Sequence, residues 1–202
     1  MAGPVTFSSV MSASTVKGVP NFQQTNGYVS RGGQPSGEGF RNLADAGVKT
    51  IVDLTEKNER SKQEKKLVEA LGMKYVNIPM KGMTTPSDKQ ISRALRVLKD
   101  EKAAPVFIHC KRGADHSGAV MACYRMEHDN WSNADALKEA RALGMSWYQF
   151  PLQRYVSAYR PHSEGDSLAG RAEDVIAAGR NIGEDALDKL KKLPSKAAEI
   201  FR

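Results

Sequence analysis

The stretch PVFIHCKRGADHSGAVMACYRM, Pro105 to Met126, reads as a buried strand, a short polar loop with a glycine, and a helix apolar on most faces. That order puts Cys110 at the carboxyl end of a strand and just ahead of a helix N-terminus, where ligands bind in open α/β sheets. Unpaired backbone N–H groups at such a helix start attract an anion, and the helix dipole adds a favourable field. The same field stabilises a thiolate, which makes a cysteine there a good nucleophile at neutral pH. Gly113 lets the loop turn so that successive N–H groups face one centre, and Gly118 lets the helix pack closely. A free cysteine alone is more often a small core residue. The strand, His109, Gly113, Ser117 and the helix together point to a reactive site.

Working outward, YVS (28–30), KTIVDL (49–54), KYVNI (74–78) and PVFIH (105–109) are β-branched or aromatic runs bounded by turns, and they predict strands. Helical patterns alternate with them. SGEGFRNLADAG stops at Gly47, NERSKQEKKLVEALG stops at Gly72, and TPSDKQISRALRVLKDEK has Thr85 as N-cap, Pro86 at N1 and Asp88 at N3. After residue 110 the pattern is all helical, over about 115–128, 132–143 with Ser132 as cap, and 147–159. The alternation predicts an α/β fold whose largely parallel sheet, of about four to five strands, is flanked by helices.

Residues 1–25 are rich in Ser, Thr, Gly and Gln and read as a flexible arm, 26–160 as the folded domain, and 161–202 as a linker and a C-terminal helical segment. In that last segment Val175, Ile182, Ala186, Leu190 and Leu193 form an amphipathic stripe, suited to docking on its own domain or to binding a partner. With 40% apolar and 26% charged residues the chain has an ordinary soluble composition. The net charge of +7 resides in the main domain, because residues 161–202 hold 7 basic and 8 acidic residues. Such a surplus attracts anions in general without choosing among phosphate esters, acidic lipids and nucleic acid. No run approaches the roughly 18 apolar residues of a membrane span. The chain therefore reads as soluble, cytoplasmic as written or exported if a leader preceded this numbering. Cys110 and Cys123 form neither a disulfide framework nor a zinc motif, and His128 and His162 have no partners at ligand spacing, so no metal and no cofactor is expected.

The loop HCKRGADHSG resembles the signature of the cysteine-dependent protein tyrosine and dual-specificity phosphatases: His-Cys, five residues, Arg, then Ser or Thr and usually Gly. It matches at His109, Cys110, Gly113, Ser117 and Gly118 and departs at His116, which stands in the arginine position. YVSRGGQPSGEGF, GVKTIVDL and YVNIPM look like the opening strands of the compact bacterial and plant dual-specificity-like members, so the resemblance covers roughly residues 26–160. It implies a phosphomonoester hydrolase in which the Cys110 thiolate forms a phosphocysteine, His109 orients the loop, and Ser117 helps the thiolate leave. The backbone N–H groups of Lys111, Arg112, Gly113, Ala114, Asp115, His116 and Ser117 would hold the phosphate oxygens. The implied partner is a phosphorylated protein or small-molecule phosphoester, with no nucleic acid.

The family arginine clamps two phosphate oxygens and tightens in the transition state. Histidine is short and in its neutral form offers one donor. Losing one preorganised donor costs roughly 3–4 kcal/mol, about a hundred- to a thousandfold in rate. Lys111 and Arg112 are expected at the rim. Many relatives carry an acidic residue about thirty positions before the cysteine, but NIPMKGMTT has no carboxylate. Asp115 inside the loop is the preferred general acid and Asp88 the alternative, its competing role being helix capping. Some inositide-directed relatives also have an aspartate there, usually within Lys-Asp-Arg. This chain has Ala114, Asp115 and His116 instead, which weakens a phosphoinositide assignment. Arg31 matches a recurrent arginine of the first strand and is expected in a structural ion pair, and Cys123 is expected to pack in the core rather than resolve a disulfide with Cys110. Three further readings stay open: a pseudophosphatase that binds an anionic ligand, an active phosphatase with an introduced His116, and a rhodanese-like sulfur transferase.

Overall fold

Val106, Phe107 and Ile108 have no exposed surface, as an uninterrupted apolar run requires when helices cover both faces of a sheet. The computed structural model describes residues 15–161 and places this run at the centre of a five-stranded sheet. The strands are β1 (Gln23–Gln24), β2 (Val29–Gly32), β3 (Thr50–Asp53), β4 (Lys74–Asn77) and β5 (Val106–His109), in the order β1-β2-β5-β3-β4. β2, β5, β3 and β4 are parallel, and β1 adds an antiparallel edge. The largely parallel sheet is thus present. β1 is two residues long and carries no periodic signal of its own.

The helices are α1 (Gly37–Asp45), α2 (Glu59–Ala70), α3 (Asp88–Lys99), α4 (His116–His128), α5 (Asn133–Ala142) and α6 (Phe150–Ala158). Side chains alternate across β5: Phe107 packs with Phe40, Leu43, Ile51 and Val68 under α1 and α2, whereas Val106 and Ile108 pack with α3, α4, α5 and α6. This alternation decides which layer each site residue meets.

Two local readings change. α3 is capped by Ser87 rather than Thr85, because Ser87 and Gln90 form a reciprocal box: Ser87 Oγ accepts from the Gln90 N–H at 3.3 Å and Gln90 Oε1 accepts from the Ser87 N–H at 2.8 Å. Asp88 is therefore the first helical residue. Val19 and Phe22, assigned by sequence to a flexible arm, are buried against Phe107, with the Phe22 and Phe107 rings stacked 6.2 Å apart. Two apolar residues suffice to anchor a segment when a wide aromatic surface waits for them. Residues 1–14 and the Val175 to Leu193 stripe lie outside the described residues. No helix among the described residues is long and apolar enough to cross a membrane.

Candidate active site

His109 follows Phe107 by two residues and so faces the α1–α2 layer, its ring stacked 6.0 Å from that of Phe107. There Nε2 meets Glu64 Oε1 of α2 at 2.8 Å, and Asp53 Oδ1, in register on β3, lies 3.9 Å away. All three side chains are buried. Arg60 bridges the two carboxylates, at 2.5 Å to Glu64 and 3.6 Å to Asp53, and Tyr75 donates to Asp53 at 2.7 Å. A carboxylate acceptor fixes the proton on Nε2 and with it the ring orientation. Asp53, Glu64 and His109 are close enough together to hold a cation, but the guanidinium of Arg60 already supplies positive charge to both carboxylates.

The loop itself is pressed against the end of β2. Gly113 has φ of 74°, and a Cβ there would lie 2.2 Å from the backbone of Gly32 and Gly33. Only glycine satisfies both the positive φ and the approach. The outer carbonyls are held: Gln34 N–H donates to Lys111 O at 3.3 Å, and Asn21 Nδ2 donates to Arg112 O at 2.8 Å. Gln34 also donates its side chain to Glu64 at 2.8 Å and accepts from Arg60, tying the loop to the network behind His109. With its carbonyls engaged outside, the loop turns the Gly113 N–H onto Cys110 Sγ at 3.3 Å. Ser117 Oγ lies 3.5 Å from the same sulfur. Cys110 and Ser117 are both buried.

α1, α2, α3 and α5 each begin with a side-chain cap, but α4 has none and no acidic residue in its first turn. Its N-cap residue, Asp115, instead accepts the Ser146 N–H at 2.8 Å and lies 3.4 Å from Arg112 Nη1. The uncapped N–H groups of α4 are left beside Cys110, which suits an anion. His116 turns to Lys81 O, 3.1 Å from Nε2. Burial lowers its pKa, against opposing pulls from the Lys81 carbonyl and from Asp115 and Glu56. A carbonyl only accepts, so Nε2 carries the proton and Nδ1 of the neutral ring presents a lone pair.

The remaining sequence candidates fall as follows. Lys111 and Arg112 are exposed at the rim, with Arg112 donating to Ser146 Oγ and Tyr148 OH at 2.8 and 3.2 Å. Ala114 is buried beneath them. Asp88 accepts from Tyr155 of α6 at 2.7 Å. Arg31 makes no ion pair among the described residues; its buried guanidinium donates to Leu143 O at 3.1 Å, and burial lowers its pKa, opposed by Glu139 and Cys110. It sits beside Gly118, where a Cβ would come within 3.3 Å of Nη1. A backbone carbonyl and packing against a glycine, rather than a carboxylate, surround the guanidinium. Cys123 is buried as a free thiol whose pKa burial raises, the state of a packing residue. Gln34, Asn21, Glu64 and Arg60 were absent from the sequence reading. The signal available for them was the adjacency of Gly32, Gly33 and Gln34 to a strand end.

Residues 5–153 match the family described as the DSP-PTPase phosphatase fused to NAD+ kinase. An inositol diphosphatase, DSP5, of Arabidopsis thaliana is 31% identical over 139 residues, spanning 66% of this chain and 67% of that protein. A probable chloroplastic NAD kinase 2 of Oryza sativa subsp. japonica is 31% identical over 99 residues, 47% of this chain and 10% of that one. The core catalytic domain of the PP-IP phosphatase SIW14 from S. cerevisiae, in complex with citrate, superposes with a TM-score of 0.65 at 24% identity, covering 79% of this chain and 96% of that domain. The strand, loop and helix around Cys110 therefore belong to a known lineage, and the chain is a member of the DSP-PTPase family within the cysteine-dependent phosphatases.

Proposed function

We propose that this chain is a phosphomonoester hydrolase that works through a phosphocysteine on Cys110 and is slowed by His116. The observation that carries the reading is the convergence on Cys110 Sγ of the Gly113 N–H and the Ser117 hydroxyl, at 3.3 and 3.5 Å, at the uncapped start of α4. In the first step sulfur attacks phosphorus, the bond from phosphorus to the leaving oxygen breaks, and that oxygen takes a proton. In the second, water attacks phosphorus and gives its proton to the carboxylate that served as acid in the first step, the S–P bond breaks, and Ser117 donates a hydrogen bond to the departing thiolate. The N–H groups of Lys111 through Ser117 hold the phosphate oxygens. Asp115 is proposed as the acid over Asp88 because it belongs to the loop that carries Cys110, whereas Asp88 is the first residue of α3; each carboxylate also accepts one hydrogen bond, from Ser146 and from Tyr155. The substrate is a phosphorylated small molecule or protein.

The slowing follows from His116. Its one donor is directed at Lys81 O and its lowered pKa keeps the ring neutral, so it adds no positive charge to the phosphate. Phosphate release from p-nitrophenyl phosphate tests both parts. His116→Arg is expected to raise kcat about a hundred- to a thousandfold and Cys110→Ser to abolish turnover; no turnover in any variant overturns the reading.

The same His116 contact favours a second reading, a phosphate-binding protein without turnover. It requires that the wild-type chain bind p-nitrophenyl phosphate competitively with inorganic phosphate while acid quenching traps no phosphocysteine. A trapped phosphocysteine rejects it.

A further inference from the structure

Trp147, Tyr148 and Phe150 are exposed by 77%, 40% and 58%, three aromatic rings within four residues at the turn from α5 into α6. Clustered exposed apolar surface of this kind marks a binding site more often than chance exposure does. With Arg112, Arg141 and Ser146 they line a cleft of about 730 Å³, within the range of small-ligand sites.

The cleft shares a wall with the phosphate loop. Arg112 Nη1 donates to Ser146 Oγ and Tyr148 OH, the Ser146 N–H donates to Asp115, and a Cβ on Gly144 would touch Ala114 Cβ at 3.6 Å. A ligand with its phosphate on the loop would meet this wall. The turn is also braced. Gln153 Nε2 donates to the carbonyls of Ser146 and Trp147, both at 3.0 Å, while its Oε1 accepts from Arg141 Nε at 3.0 Å. Tyr148 and Phe150 meet the indole at interplanar angles of 84° and 82°, so neither ring stacks on it. Arg141 has no carboxylate within 4 Å among the described residues, and Arg154 lines an adjoining cleft with Arg141 and Phe150. The wall therefore combines a presented indole with uncompensated positive charge.

We propose that this cleft takes the base of a nucleotide whose phosphomonoester sits on the Cys110 loop, with Arg141 facing its remaining phosphate charge. The inference rests on the proposed reading of the loop as a phosphate site and adds the substrate class. Every nucleobase has a π-face that stacks on an aromatic side chain, and arginine is suited to phosphate. An inositol phosphate has no planar ring for Trp147. Phosphotyrosine carries its ring directly on the phosphate oxygen and brings no second phosphate to Arg141.

Calorimetry on the full chain carrying Cys110→Ser, with inorganic phosphate, adenosine 2′,5′-bisphosphate, NADP+, NAD+ and inositol hexakisphosphate, tests it. NADP+ is expected to bind at least about tenfold tighter than NAD+, whose ribose lacks the monoester. Trp147→Ala is expected to lower the ratio of bisphosphate affinity to inorganic phosphate affinity by about tenfold, from lost base stacking. Arg141→Gln should weaken the bisphosphate and flatten its salt dependence. Equal affinity for NADP+ and NAD+, an unchanged ratio in Trp147→Ala, or tighter binding of inositol hexakisphosphate that ignores Trp147→Ala overturns the proposal. Inorganic phosphate that binds normally alongside any of those results leaves the loop reading standing. Absence of phosphate binding removes the loop reading and the nucleotide with it.

Discussion

The two halves of the signature loop are built by opposite means. On the strand side, from His109 to Gly113, groups are fixed from outside: His109 by Glu64, the Lys111 and Arg112 carbonyls by Gln34 and Asn21, and Gly113 by contact with Gly32 and Gly33. On the helix side, the side chains of Asp115 and His116 contact the Ser146 N–H and the Lys81 carbonyl and fix other loops in turn. One half receives order and the other exports it. An anion cradle draws on the backbone of both, the N–H groups of the first half and those at the start of α4. The proposed reaction also calls for charge on the second, where the Asp115 and His116 side chains contact other loops.

If that division is right, the largest damage comes from disturbing the receiving half. Gly113→Ala puts a methyl 2.2 Å from the Gly32–Gly33 backbone at a φ of 74°, and neither strand end can retreat without breaking the parallel pairing of β2 and β5. A loss of more than about 4 kcal/mol is expected in urea unfolding. A loss below about 1 kcal/mol would show that the loop is not seated on β2 as described. Glu64→Ala comes next, at about 2–3 kcal/mol, because it strands the buried His109 N–H and one side of the half-exposed Arg60. It should also slow alkylation of Cys110 by iodoacetamide, through the loop. Full stability with normal alkylation would reduce the Glu64 contact to an incidental one.

The supports behind the strand side were also less legible in sequence than the loop itself. Cys110, Gly113 and Ser117 stand within one motif, so local reading finds them. Glu64 is 45 residues from His109, and only the register that sets Asp53 beside His109, together with the alternation that turns His109 toward α2, brings it near. β2, β3, β5 and most helix boundaries were legible because burial on both faces and capping residues leave local marks, and the edge strand β4 because its run is aromatic and β-branched. The two-residue β1 and the Ser87 cap were not, the first for want of length and the second because Thr85 offered an equally good hydroxyl two residues earlier. Arg31 shows the complementary limit. Its place on β2 was readable, but its hydrogen bond to the Leu143 carbonyl depends on the α5–α6 turn.

On the exporting half the effects should be smaller. Asp115→Ala removes the acceptor of the buried Ser146 N–H and is expected to cost about 1–2 kcal/mol. Activity discriminates between its two roles. If Asp115 protonates the leaving oxygen, the substitution slows an alkyl phosphate much more than p-nitrophenyl phosphate, whose leaving group needs no acid. Equal slowing of both substrates would leave Asp115 as a tie between loops and nothing more.

The smallest effect belongs to His116 and concerns pH. Burial sets its pKa below the ordinary imidazole value of 6.5, while in the unfolded chain it returns to that value. Between the two values the unfolded state binds more protons, so stability rises with pH there. The stabilising share of His116 is fully present above pH 6.5 and is lost as pH falls through the folded value. Measured against His116→Gln, which keeps a donor for Lys81 O but does not titrate, the wild-type chain should lose stability on acidification below 6.5, and the His116 ring resonance should move with a midpoint under 6.5. A midpoint above 6.5 in the free protein would mean that the ring is held charged by a nearby anion. His116 would then act as a weak cationic clamp, and the contrast between the two halves of the loop would fail at the position on which the proposed slowing rests.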